Sequence, residues 1–199
     1  MNFKKLQAMQ AKLDEAILAD KAPMTTEERF NKTLVALSVE IAEIANTVEH
    51  FKFWKDNKGK IDGDRFIVTP SIVNNLIEDG YLDNTTMQYV TEEQAHRLTL
   101  IEECSDALHF ILSLANQMNE ELLAIVERQD ALSKEEWYLE IINDLRNMDI
   151  PRDNTWRALI DLNTDFYHYY TSLGISQQEL EQAYYDKDKI NYERLENGC

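Results

Sequence analysis

The 199-residue chain carries 20 Lys and Arg against 37 Asp and Glu, a formal charge of −17, so it repels phosphate backbones and DNA or RNA is discounted as a macromolecular partner. Its 44% hydrophobic content, with nine Tyr, seven Phe and three Trp, supplies one packed core. Five Gly and three Pro fall well below the usual shares of about 7% and 5%, which leaves few of the turns an all-β protein needs. The expectation is a single all-α domain over 1–199, a helical bundle.

In chain order, a first helix is read over 3–19, followed by Pro23 in a connection. Thr25-x-x-Glu28 has the form of a capping box and opens a helix over 26–54. Residues 57–90 hold three of the five glycines and mix β-branched with turn residues. They read as an irregular insertion, with a short hairpin around Asp64–Val68 and a short helix after Pro70, where the first turn welcomes proline. Thr91-x-x-Gln94 opens a helix over 92–128, and Ser133-x-x-Glu136 one over 134–147. A helix over 154–172 lies between Pro151 and Gly174, and Ser176-x-x-Glu179 opens the last, over 177–195. Cys104 and Cys199 suggest neither a disulfide framework nor a zinc quartet. With no run of about 18 apolar residues and no signal-peptide pattern, a cytoplasmic protein without membrane attachment is expected.

The carboxylates of the second and third helices carry the chemistry. Glu40 and Glu43 lie one turn apart beside the apolar stripe Leu37, Ile41, Ile44 and Val48. Glu103 and Asp106 have the same spacing beside Ile101, Leu108, Ile111 and Leu112. Helix-rich acidic chains produce such pairs by chance. An acid bordering a buried stripe is costly, however, and four of them on packed helices raise each other's pKa or demand cations. Carboxylates with a phosphorylated substrate suit Mg²⁺. A di-iron bundle wants two Glu-x-x-His copies, and Asp106-x-x-His109 is a single imperfect one.

The pairs Glu40-x-x-Glu43 and Glu103-x-x-Asp106, the segment FKFWK at 51–55 and the terminal run YYDKDKINYERLENGC together resemble the all-α nucleoside triphosphate pyrophosphatases of the MazG-like group. The closer likeness is to the dimeric dUTPases and the phage dCTPase-dUTPases. Tyr184, Lys187, Asn191, Arg194 and Gly198 match the family's tail pattern Y-x-x-K-N-x-x-N-x-x-R-Q-x-x-G-Y, whereas Asp188, Leu195 and Cys199 depart from it. The resemblance implies a nucleotide hydrolase that converts dUTP to dUMP and pyrophosphate as a homodimer. In it Glu40, Glu43, Glu103 and Asp106 hold two or more Mg²⁺ ions. Glu43 is the first candidate for orienting the attacking water, and Lys187, Asn191 and Arg194, on one face of the last helix, form a phosphate clamp.

The resemblance also places the base against a Gln and an Asn on the first helix, a Trp, and a His-Phe pair. Gln10, Asp14, Trp54, His109 and Phe110 stand there. Lys52 and Lys55 read as phosphate contacts or as a basic fringe of the acidic helix. A carboxylate at Asp14 only accepts hydrogen bonds, which leaves dCTP or several nucleotides as alternatives to dUTP. The insertion 57–90 reads as a lid or as a docking surface for a protein partner. The stripe Trp156, Leu159, Phe166, Tyr169 and Tyr170 reads as core or as a subunit interface.

Overall fold

A computed structural model of the chain describes residues 1–19, 21–56, 59–73, 76–122, 125, 128, 131–148 and 155–197. Among them, helices α1 (Phe3–Ala19) and α2 (Thr26–Val48) precede a sheet of β1 (Phe66–Val73), β2 (Leu76–Asp83) and β3 (Gln88–Val90). Helices α3 (Glu92–Met118), α4 (Lys134–Asn147), α5 (Thr155–Ser172) and α6 (Gln177–Glu196) follow. The fold is all-α with one small sheet.

All four capping boxes form. Thr25, Thr91, Ser133 and Ser176 accept the backbone N–H three residues on, and Glu28, Gln94, Glu136 and Glu179 return a bond to the cap; each such cap stabilises its helix by about 1 kcal/mol.

The helix ends differ from expectation. α2 stops at Val48 rather than residue 54, because Glu49 turns left-handed at φ 55°. Its buried carboxylate then accepts from Lys52 Nζ at 2.6 Å, from Lys55 Nζ and from the Gly59 N–H at 3.1 Å, which doubles the chain back. Gly59 sits at φ 118°, where a Cβ would lie 2.8 Å from His96 Nε2, so only glycine fits without strain. α3 likewise ends at Met118, before Asn119 at φ 57°, ten residues short of 128.

α3 is the central helix, packed on α2, α1 and α6, while α4 and α5 form a hairpin beside them. Leu37, Ile41 and Ile44 of α2 meet Leu108, Ile111 and Leu112 of α3 in one buried cluster with Leu159, Leu162 and Phe166 of α5. Leu159, Phe166, Tyr169 and Tyr170 are all buried within the single chain, and of the α5 stripe only Trp156 stays half exposed. Those four residues build the core.

Residues 57–90 are more regular than expected. β1 and β2 pair antiparallel from Phe66↔Asp83 to Val73↔Leu76, and β3 adds to β2 with Tyr81↔Val90. Among the described residues no helix follows Pro70, which instead lies within β1 opposite Asp79. β1 is an edge strand, where a missing N–H is tolerated. Phe66 is buried, with the Arg65 guanidinium 4.8 Å from its ring centroid, whereas Ile67 and Tyr89 remain exposed. No helix among the described residues is long and apolar enough to cross a membrane.

Candidate metal and nucleotide site

Because α2 and α3 lie side by side, their inward carboxylates meet. One oxygen from each of Glu40, Glu43 and Glu103 lies within 4.8 Å of the others, a set that could hold a metal ion. Burial, and then the charges of Asp106 and Glu43, push the Glu40 carboxyl up to about 7. Burial and then Glu43, Asp106 and Glu40 push Glu103 up to about 8. At neutral pH this cluster is short of positive charge, the electrostatic signature of a cation site.

Asp106 has a different partner. Lys187 of α6, itself buried, donates from Nζ to Asp106 Oδ2 at 2.7 Å and to Glu102 Oε1 at 2.9 Å. Burial raises the Asp106 carboxyl, and Lys187 opposes that shift. Glu102 is a site residue that pattern reading passed over in favour of the E-x-x-D pair. Its signal was its spacing of four from Asp106, which puts both acids on one face of α3.

Lys187, Asn191 and Arg194 line a cavity of about 380 Å³ together with Glu40 and Asp106. Gln10, Asp14, His109 and Phe110 line the same cavity, and so do Leu13, Lys21 and Leu195, of which only Leu195 stood out in the sequence, as a departure from the family tail.

A hydrogen-bond network fixes which atoms face a ligand. Asp14 Oδ1 accepts from Gln10 Nε2 at 2.8 Å, while Asp14 Oδ2 accepts from Arg29 Nη2 at 2.9 Å and Ser113 Oγ at 2.7 Å. A carboxylate can only accept, so the Gln10 amide nitrogen must face it and Gln10 Oε1 must point the other way. That oxygen accepts from the Tyr184 hydroxyl at 3.0 Å and lies 2.7 Å from His109 Nδ1. The network therefore assigns the proton to Nδ1 and leaves Nε2 an acceptor. His109 is buried and stacks on Tyr184 with ring centroids 4.1 Å apart. Burial, and then the charge of Lys187, lower its pKa to about 3, so it is neutral. His109 Nε2 is buried without a hydrogen-bond partner among the described residues. Gln10 and Asp14, expected against the base, are engaged with protein groups and hold His109 in place.

Lys52, Trp54 and Lys55 do not line the cavity. The two lysines grip Glu49, and Trp54 is 67% exposed, set edge-on to Phe53. Gly198 and Cys199 of the tail lie outside the described residues.

In comparisons with known proteins, a family model described as dUTPase matches residues 2–68 and 76–199. No curated protein matches the chain.

Proposed function

The chain belongs to the dUTPase family, and on that premise we propose that it is a Mg²⁺-dependent dUTP diphosphatase, hydrolysing dUTP with water to dUMP and pyrophosphate. The observation that supports it is the single cavity shared by carboxylates Glu40 and Asp106, by Lys187, Asn191 and Arg194, and by His109, whose Nε2 has no hydrogen-bond partner among the described residues.

In this reading Glu40, Glu43 and Glu103 would hold magnesium, and Asp106, here bonded to Lys187, would be the fourth carboxylate of the set. When bound, magnesium neutralises the phosphates and lowers the pKa of a coordinated water. Glu43, the exposed member of the three, orients the attacking water. Lys187 and Arg194 bind phosphate oxygens as cations, and Asn191 does so through its amide. His109 Nε2 accepts from the uracil ring N3–H. Cytosine carries an acceptor at N3, so the same nitrogen repels it, and a buried acceptor left facing another acceptor is costly. The Asp14 carboxylate thus favours uracil indirectly, by fixing the Gln10 amide. Lys52, Trp54 and Lys55 are given no substrate contact.

The reading includes a homodimer in the cytoplasm. Exposed Phe53, Trp54, Ile67 and Tyr89 offer apolar surface that one chain does not cover, and sedimentation velocity tests the assembly. Activity is tested by pyrophosphate release from dUTP, dCTP, dTTP, dATP and UTP, each with Mg²⁺ and with EDTA. Mg²⁺-dependent release with dUTP far ahead of dCTP is expected; dCTP equal to dUTP overturns the role of His109, and no release overturns the function.

A further inference from the structure

Lys187 is held by a chain of alternating charges that begins in the sheet. Asp83, at the end of β2, is almost fully buried and takes Arg65 in a bidentate grip, from Nε to Oδ1 at 3.2 Å and from Nη2 to Oδ2 at 3.0 Å. Arg65, immediately before β1, then donates from Nη1 to Glu102 Oε2 at 2.8 Å. The other oxygen of Glu102 receives Lys187. Each Glu102 oxygen thus has one cationic partner. Burial raises the Glu102 carboxyl, but Lys187 and Arg65 outweigh it and hold the group below its ordinary value.

The charges explain what this chain is for. Asp83, Arg65, Glu102 and Lys187 sum to zero without Asp106, which is the surplus acid. If Lys187 had only Asp106, turning that carboxylate to a cation would strand a buried ammonium, which is costly. With Glu102 in place, Asp106 can leave and Lys187 keeps both its charge partner and its position.

Resting on the reading above, we propose that Glu102 is the positioning residue for the phosphate-binding Lys187. The sheet of residues 66–90 sets it through Arg65, so the excursion between the acidic helices is an integral part of the nucleotide site.

The test uses Glu102→Gln, Arg65→Met and the double variant of the full chain. The readouts are kcat and KM for dUTP with Mg²⁺, calorimetric binding of inorganic pyrophosphate with Mg²⁺, and melting temperature. Glu102→Gln is nearly isosteric and half-buried, so it keeps the test open even if Arg65→Met fails to fold. Loss of one charge-assisted contact is expected to raise KM and weaken pyrophosphate binding by about tenfold for Glu102→Gln, with a smaller change in kcat. Arg65→Met is expected to do the same less strongly. Because both act through one carboxylate, the double variant is expected to match Glu102→Gln alone.

Unchanged KM and pyrophosphate affinity, a lowered melting temperature with no other change, or losses that multiply in the double variant each overturn the proposal. They do so even if the wild-type protein hydrolyses dUTP, in which case the function stands alone. A wild-type protein that hydrolyses nothing yet binds pyrophosphate, with that binding weakened in Glu102→Gln, overturns the function and leaves the positioning role intact. Neither turnover nor pyrophosphate binding by the wild type overturns both.

Discussion

His109 Nδ1 lies 2.7 Å from Gln10 Oε1, and that contact decides what His109 offers the cavity. A proton committed to Nδ1 makes Nε2 a lone pair, so the ring reads donors. His109→Phe keeps a ring against Tyr184 and removes the acceptor. It is expected to lower kcat/KM for dUTP by roughly tenfold to a hundredfold, the worth of one hydrogen bond to a buried partner, while dCTP turnover does not fall. The ratio of the two nucleotides in steady-state assays checks it, and an unchanged ratio sinks the assignment.

The metal-free cluster makes a prediction about pH. Glu40 and Glu103 are raised to about 7 and about 8. Their contribution to stability is therefore full below the ordinary carboxylate range and is lost as pH rises through those values. Without Mg²⁺ the melting temperature should fall between pH 5 and pH 9, by the linkage of raised carboxyl groups. Saturating Mg²⁺ should flatten that slope and release protons at pH 7, measurable by calorimetry in buffers of different ionisation enthalpy. A slope that Mg²⁺ leaves unchanged counts against the site.

Glu43→Gln removes one charge from this cluster. The variant is expected to melt no lower than wild type in EDTA at pH 8, to lose the Mg²⁺-dependent rise in melting temperature, and to lose turnover. Parental turnover would show that Glu43 plays no part in the chemistry.

A second acidic pair lies between α4 and α5. Burial, and then the charges of Asp165 and Asp161, raise the Asp144 carboxyl; burial also raises Asp165, against the pull of Arg128. Among the described residues Asp144 Oδ2 has no hydrogen-bond partner. Raised carboxyls lose their stabilising contribution as pH climbs, so Asp144→Asn is expected to be neutral or stabilising above pH 8. Urea unfolding of wild type and variant at pH 6 and pH 9, both with Mg²⁺, checks this; a variant weaker at both values refutes it.

Gly59→Ala places a methyl 2.8 Å from His96 Nε2 at φ 118°. The strain should cost about 1–3 kcal/mol, read as an earlier midpoint in denaturant.

The helix starts were legible because capping boxes are local: four serines and threonines, each with an acid or amide three residues on, announce themselves. The helix ends were not. Both α2 and α3 stop at left-handed residues that are not glycine, and Glu49 takes that conformation with Lys52, Lys55 and Gly59 holding its carboxylate. Pro70 was ambiguous for a similar reason, since proline opens helices and also sits on edge strands, and only the pairing partner decides. At the site, E-x-x-E and E-x-x-D spacing indicated which acids face α2 and α3, but the α6 residue that would claim Asp106 depends on tertiary packing. Glu102 was hidden by its neighbour, and the tautomer of His109 depends on a glutamine 99 positions away in the chain.

Among the described residues, the β-hairpin is tied to the helices at its root. Arg65 on Glu102 and the Asp62 N–H on Thr99 Oγ1 at 3.1 Å both tie it to α3 at the Phe66↔Asp83 end, seven rungs from Val73↔Leu76. A structure anchored in this way can lengthen or shorten at the far end at little thermodynamic cost, since doubling a loop adds only about 0.6 kcal/mol of closure entropy. A hairpin lengthened at that end is therefore expected to leave the charge chain from Asp83 to Lys187 in place.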